Sequence, residues 1–197
     1  MATRNILKDG EPGLSKKSRE VTEFNNRLHV LLDDMRETLI DANGLGLAAP
    51  QVGVLRRAVL IVDTSLGGEL PEEPTEEQIY KQYNEQIIEL VNPEIVTEMG
   101  EQTGSEGCLS VPGVFGIVCR PETVTVNAQD REGKPIKLEV NELAARAVCH
   151  EIDHLDGVLF TTIAERILTE EELTEMAQQK EQNEDEQIRA EKENEKL

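Results

Sequence analysis

The segment His150-Glu151-Ile152-Asp153-His154 constrains this chain more than any other stretch of it. On an α-helix each residue advances by about 100°, so positions four apart lie roughly 40° from one another. Both imidazoles then project from one face, one turn apart, and can grip a single cation. Glu151 lies close enough to that face to reach a water on the cation rather than the cation itself. Ala144, Val148, Ile152 and Leu155 gather on another face, where they can enter a core. The pattern predicts a helix that begins after Asn141, a good N-cap, and stops at Gly157. Two unrelated surface histidines are the plainer reading. Yet the chain has only three histidines, and two of them fall at this spacing around a glutamate.

A catalytic site of this kind takes three protein ligands and leaves one position open for water. One zincin class places a glycine three residues after the second histidine and a third histidine three beyond that. Gly157 is present here, but Phe160 stands at the ligand position and cannot bind a metal. Another class uses a glutamate downstream, and Glu170, Glu171 and Glu172 are available in a polar stretch with no organised setting. Cys108, in Glu106-Gly107-Cys108-Leu109-Ser110, is a further candidate. Coordination would strip its proton and make it an anionic ligand, and Gly107 would let backbone approach something that a side chain would obstruct. A lone cysteine is equally a small buried hydrophobe. Residue chemistry alone leaves these alternatives open.

Elsewhere, Val21, Phe24, Leu28, Leu31, Leu32, Met35 and Leu39 recur every three or four residues. This spacing predicts an amphipathic helix over 18–42 that ends near Asn43-Gly44. The glycine-punctuated segment 44–53 follows, and taken alone it reads as a tight turn and the start of a strand. Residues 57–63 form a buried strand. Residues 67–86 are an acidic surface insert with a short helix from Thr75. Short β-type runs then cover 87–91, 94–98, 115–120, 123–127 and 135–140. The last two flank a hairpin turn at Arg131-Glu132-Gly133-Lys134. Strands interleaved with two substantial helices, without regular βαβ alternation, predict an α+β fold. Its expected form is small antiparallel sheets packed around a central helix that carries the HExxH motif. From Thr169 the composition turns acidic, with eleven acidic residues against four basic ones, which predicts a solvated or partly disordered extension. The expected organisation is a catalytic domain over 1–168 and an acidic extension over 169–197.

The formal net charge is -20, which argues against sequence-independent binding to nucleic acid or anionic lipid. No apolar run is long enough to cross a bilayer, and no apolar run backs the N-terminus as a secretory signal requires. Three widely spaced cysteines offer no disulfide framework, which fits a reducing cytoplasm. Cys119, in a strand-like run, reads as core, and His29 reads as a helix-surface or boundary residue. Asp153 and Asp156 are candidates for orienting their neighbours through hydrogen bonds.

Three segments agree with one family. Gly44-Leu45-Gly46-Leu47-Ala48-Ala49-Pro50-Gln51, Glu106-Gly107-Cys108-Leu109-Ser110 and His150-Glu151-Ile152-Asp153-His154 resemble the three signature motifs of peptide deformylase, in the family's order. The resemblance implies a bacterial-type hydrolase that removes the formyl group from N-formylmethionine at the start of new polypeptides and releases formate. It implies Cys108, His150 and His154 as metal ligands, Glu151 as general base and acid, and Gln51 with the Leu109 N–H as oxyanion donors. Gly44, Leu45, Gly46 and Gly107 would line the peptide. The metal implied is Fe2+, with Zn2+, Ni2+ or Co2+ as possible substitutes. The expected partners are formyl-Met peptides and nascent chains, met by a monomer with no direct nucleic-acid contact. A zinc endopeptidase and a non-catalytic metal-binding module are the rival readings. The chain departs from the family at Cys149, where glutamine is frequent, and at Phe115, where some relatives carry a basic residue. Its 67–86 insert is also longer than in compact members.

Overall fold

The structure is a computed structural model that describes residues 2–68, 70–71 and 73–175. Its first helix, α1, spans Asn26–Asp41 and starts later than the apolar spacing predicts. Asn25 Oδ1 accepts from the Arg27 and Leu28 N–H groups, so the cap sets the start. Val21 lies ahead of the helix, yet it is buried. The side-chain amide of Asn92 takes the place of a neighbouring strand there, accepting from the Val21 N–H at 2.8 Å and donating to its carbonyl at 2.9 Å. Those backbone groups are therefore satisfied without a helical turn.

The strands are β1 (Gly46–Ala48), β2 (Ala58–Val62), β3 (Ile87–Met99), β4 (Gln102–Cys108), β5 (Val111–Arg120), β6 (Thr123–Gln129), β7 (Pro135–Asn141) and β8 (Arg166–Ile167). They form a five-stranded sheet, β1-β2-β3-β6-β7, and a three-stranded sheet, β4-β5-β8, with every pairing antiparallel. The two runs expected at 87–98 are one strand, because a register shift between Val91 and Glu94 absorbs Pro93. β4 is absent from the expected strands, since its polar, glycine-containing composition imitates a turn. It pairs along β5, which begins earlier than the expected residue 115. The hairpin between β6 and β7 turns where expected, with Asp130 Oδ1 accepting from the N–H groups of Glu132 and Lys134.

Helix α2 (Glu76–Gln86) starts from a reciprocal Thr75–Gln78 cap, and helix α3 (Glu142–Leu155) follows β7 directly. β2 is buried on both faces, which accounts for its unbroken apolar run. Ala58, Leu60 and Val62 join a core with Leu32, Met35 and Leu39 of α1. Val59 and Ile61 join a second core with Ala145, Val148 and Leu155 of α3. The five-stranded sheet thus has α1 on one face and α3 on the other. Cys149 lies in this second core, and burial pushes its thiol up to about 11. Cys119 corrects the core reading: it is exposed, because its neighbours Val118 and Arg120 take the inward positions on β5. Residues 170–175 are helical, and the expectation for the rest of the acidic extension lies outside the described residues. Among the described residues, no helix is long and apolar enough to cross a membrane.

Candidate metal centre

Helix α3 brings His150 and His154 to the end of β4, where Cys108 stands. One ligand atom from each of the three lies within 4.8 Å of the other two. Cys108 Sγ is 3.1 Å from His154 Nε2, although the residues are 46 positions apart in the chain. His150 Nδ1 is 3.0 Å from Glu106 Oε2; donating that proton fixes the tautomer and leaves Nε2 with a free lone pair. His154 is buried with no polar partner at Nδ1, and burial pushes its ring down to about 3, so the imidazole is neutral. A soft sulfur and two imidazole nitrogens turned toward one point suit a divalent transition metal.

Glu106 is the hub behind these ligands. Arg120 donates to both of its oxygens, at 2.9 and 3.0 Å, and Arg146 Nη1 donates at 2.8 Å. Arg120 also pairs with Asp153 at 2.7 Å, so Asp153 supports the site at one remove. Asp156 instead pairs with Lys17 and Arg57, away from the site. Burial alone would raise the Glu106 carboxyl, but hydrogen bonds from His150 and Arg120 outweigh it and hold the group at about 2. The sequence reading gave Glu106, Arg120 and Arg146 no role. Strand periodicity gave no signal for Glu106, because β4 does not read as a strand and a register shift between Gly107 and Cys108 interrupts its alternation.

Glu151 is buried, with Oε2 unpartnered, and desolvation pushes its carboxyl up to about 7. Gln51 is also buried; its Oε1 accepts from the Ala48 N–H at 2.7 Å, which turns its NH2 toward Ser110 Oγ at 3.2 Å and Cys108 Sγ at 3.6 Å. A cleft of about 410 Å³ opens in front of these groups, and Gly44, Leu45, Gly46, Gly107, Leu109 and Phe115 line it. At Gly107 a β-carbon would stand 2.7 Å from the Phe115 ring, so the glycine makes room for that wall. Gln51, Cys108, His150 and Glu151 also line this cleft, and His154 lies buried behind it against Cys108.

The alternative ligands lie elsewhere. Phe160 is buried with its ring 5.9 Å from that of His150. Glu172 caps Thr169 and pairs with Arg166. His29 Nε2 contacts the Arg131 carbonyl oxygen at 2.9 Å. Among the described residues, Cys108, His150 and His154 form the one group of three or more able to hold a metal.

The polypeptide deformylase family profile matches residues 3–169. The chain is 47% identical over 183 residues to the peptide deformylase of Acetivibrio thermocellus, covering 93% of this chain and 96% of that protein. The crystal structure of a peptide deformylase from Legionella pneumophila superposes with a TM-score of 0.70 at 37% identity, covering 96% of this chain and 98% of that one. A class I type b peptide deformylase from Acinetobacter baumannii, crystallised with Met-Ala-Ser bound, gives 0.69 at 32% identity over 82% of this chain and 99% of that one. Three motifs gathered at one cleft, an α+β fold shared with solved deformylases and near-complete coverage at this identity lead to one conclusion: the chain belongs to the peptide deformylase family.

Proposed function

We propose that this deformylase hydrolyses the formyl group of N-formylmethionine at the cleft between β1 and β4, with Cys108, His150 and His154 holding Fe2+. The observation that carries this reading is the approach of Cys108 Sγ and the two imidazoles to within 4.8 Å, beside the Glu151 carboxyl with its unpartnered Oε2. Zn2+, Ni2+ or Co2+ would fit the same donors. The bound metal would supply Lewis acidity, acidifying water and polarising the formyl oxygen.

The chain's own groups supply the rest. Glu151, pushed up to about 7, can both take and return a proton near neutral pH. It accepts one proton as the water oxygen bonds to the formyl carbon. Negative charge then gathers on the former carbonyl oxygen, where the Gln51 amide and the Leu109 N–H donate; one such donor can be worth about 3 kcal/mol. As the C–N bond breaks, Glu151 returns the proton to the amine, giving formate and a free N-terminus.

The peptide lies extended beside β1, an edge strand, with Gly44, Leu45 and Gly46 on one side and Gly107 on the other. Helix α3 serves as the central helix of a catalytic domain over 1–168, with 169–197 as an acidic extension. The substrates are formylated nascent chains in the cytoplasm, met by a monomer without nucleic-acid contact of its own, in keeping with the net charge of -20. The test is formate release from a formyl-Met peptide under anaerobic conditions. Wild type is expected to turn over and Cys108→Ala to be inert; equal rates would overturn the ligand assignment.

A further inference from the structure

Three consecutive residues near the N-terminus reach the two segments that carry the proposed oxyanion donors. The Leu7 N–H donates to the Gln51 carbonyl at 2.8 Å, and the Asp9 N–H donates to the Ser110 carbonyl at 2.9 Å. Between them, Lys8 Nζ donates to the Leu109 carbonyl at 2.8 Å. Gln51 sits in the short 3-10 turn Ala49–Val52, and Leu109 in the link between β4 and β5. Residues 7–9 therefore tie the two segments to each other from behind.

The Lys8 contact also acts through the peptide group it touches. The Leu109 carbonyl shares its peptide unit with the Ser110 N–H, which points at Cys108 Sγ from 3.4 Å. An ammonium on the carbonyl oxygen draws electron density from that unit and makes its N–H a stronger donor to the sulfur. Lys8 is exposed and forms no ion pair among the described residues, so it adds little to core stability.

We infer that Lys8 is a positioning residue for the deformylation reaction: it seats the Leu109–Ser110 peptide against the cleft and, through the Ser110 N–H, strengthens the hydrogen bond on the Cys108 sulfur. This rests on the proposed roles of Gln51, Leu109 and Cys108. Donors to a developing oxyanion act in the transition state, so their misplacement lowers kcat and leaves KM in place.

The experiment compares full-length wild type, Lys8→Met and Lys8→Arg, each loaded with one metal. Lys8→Met is expected to lower kcat for formate release about tenfold, the size of one hydrogen bond from a charged group. KM stays within about twofold, and the thermal midpoint stays within about 1 °C, as for a surface substitution. Lys8→Arg keeps the cation and restores most of the rate. In the cobalt-loaded proteins, the thiolate-to-cobalt charge-transfer band shifts in Lys8→Met and returns in Lys8→Arg. A wild-type kcat or an unshifted band in Lys8→Met overturns the inference. A wild type that releases no formate would instead sink the deformylase reading, and the cobalt band would still decide the effect of Lys8 on the sulfur.

Discussion

Gly46 and Glu151 stand so close that a β-carbon at position 46 would lie 2.4 Å from Glu151 Oε1. The backbone of β1 is thus one wall of the carboxylate's slot, and only a residue without a side chain leaves the slot open. In Gly46→Ala the new β-carbon would stand 2.4 Å from Glu151 Oε1 and 2.7 Å from its Cγ, so the whole buried side chain must swing aside for the strand to keep its place. The variant's kcat is expected to fall by about a hundredfold, since a general base moved by an ångström loses its alignment. Steady-state kinetics beside a thermal melt would check this; a folded Gly46→Ala enzyme with full kcat would remove Glu151 from its proposed role.

Glu106 joins His150, Arg120 and Arg146 in one buried cluster. Glu106→Gln keeps the shape but leaves the buried Arg146 without a counter-charge and Arg120 with Asp153 alone, at an expected cost of about 3 kcal/mol. Loss of the carboxylate charge behind His150 is expected to weaken metal binding by roughly 10–100-fold. Chemical denaturation and competition with a chelator would measure the two effects separately.

Glu89 offers a pH test away from the metal site. Burial raises its carboxyl, but hydrogen bonds from Arg131 and Arg36 outweigh that and hold it below the ordinary glutamate value. A depressed carboxylate contributes stability above its unfolded pKa and loses it as pH falls through the lower folded value. Glu89→Gln is therefore expected to be less stable than wild type at pH 7, by about 2 kcal/mol. The gap closes as the medium is acidified below the ordinary glutamate range. Denaturation midpoints across an acid series would show it, and a gap that widened in acid would contradict the pairing.

The three cysteines should separate by reactivity. Cys119 is exposed, Cys108 is half-buried at the proposed metal, and Cys149 is buried with its thiol pushed up to about 11. A thiol reagent is expected to modify Cys119 in the metal-loaded enzyme, Cys108 only after chelation and Cys149 only on unfolding. Mass spectrometry of the labelled peptides would decide the order.

Oxidation gives a further test, since both Cys108 and Fe2+ are oxidisable. Iron-loaded enzyme is expected to lose activity in air faster than nickel-loaded enzyme. Equal decay in timed assays would move the weak point from the iron to the sulfur.

Much of this architecture was legible because its signals are local. His150 and His154 share a helical face by arithmetic alone, and β2 announces itself by an unbroken apolar run. Cys108 was a candidate from chemistry, but its company with the histidines came only from the family resemblance, since no spacing rule spans 46 residues. The network around Glu106 went unread for the same reason, because Arg146 lies 40 residues away. Val21 and Phe24 continue the helical spacing into a non-helical lead-in, and only the Asn25 cap marks the boundary. Cys119 misled because a small apolar residue in a strand can face either side of it.

The proposed ligands come from different parts of the fold: Cys108 ends a strand of the smaller sheet, while both histidines ride the helix seated on the larger one. A cation gripped by all three is therefore a cross-link between two halves of the molecule as well as a reagent. Stripping it would loosen the joint that keeps the cleft's opposite walls in register, so resistance to unfolding and the capacity to turn over substrate would rise and fall together with metal occupancy.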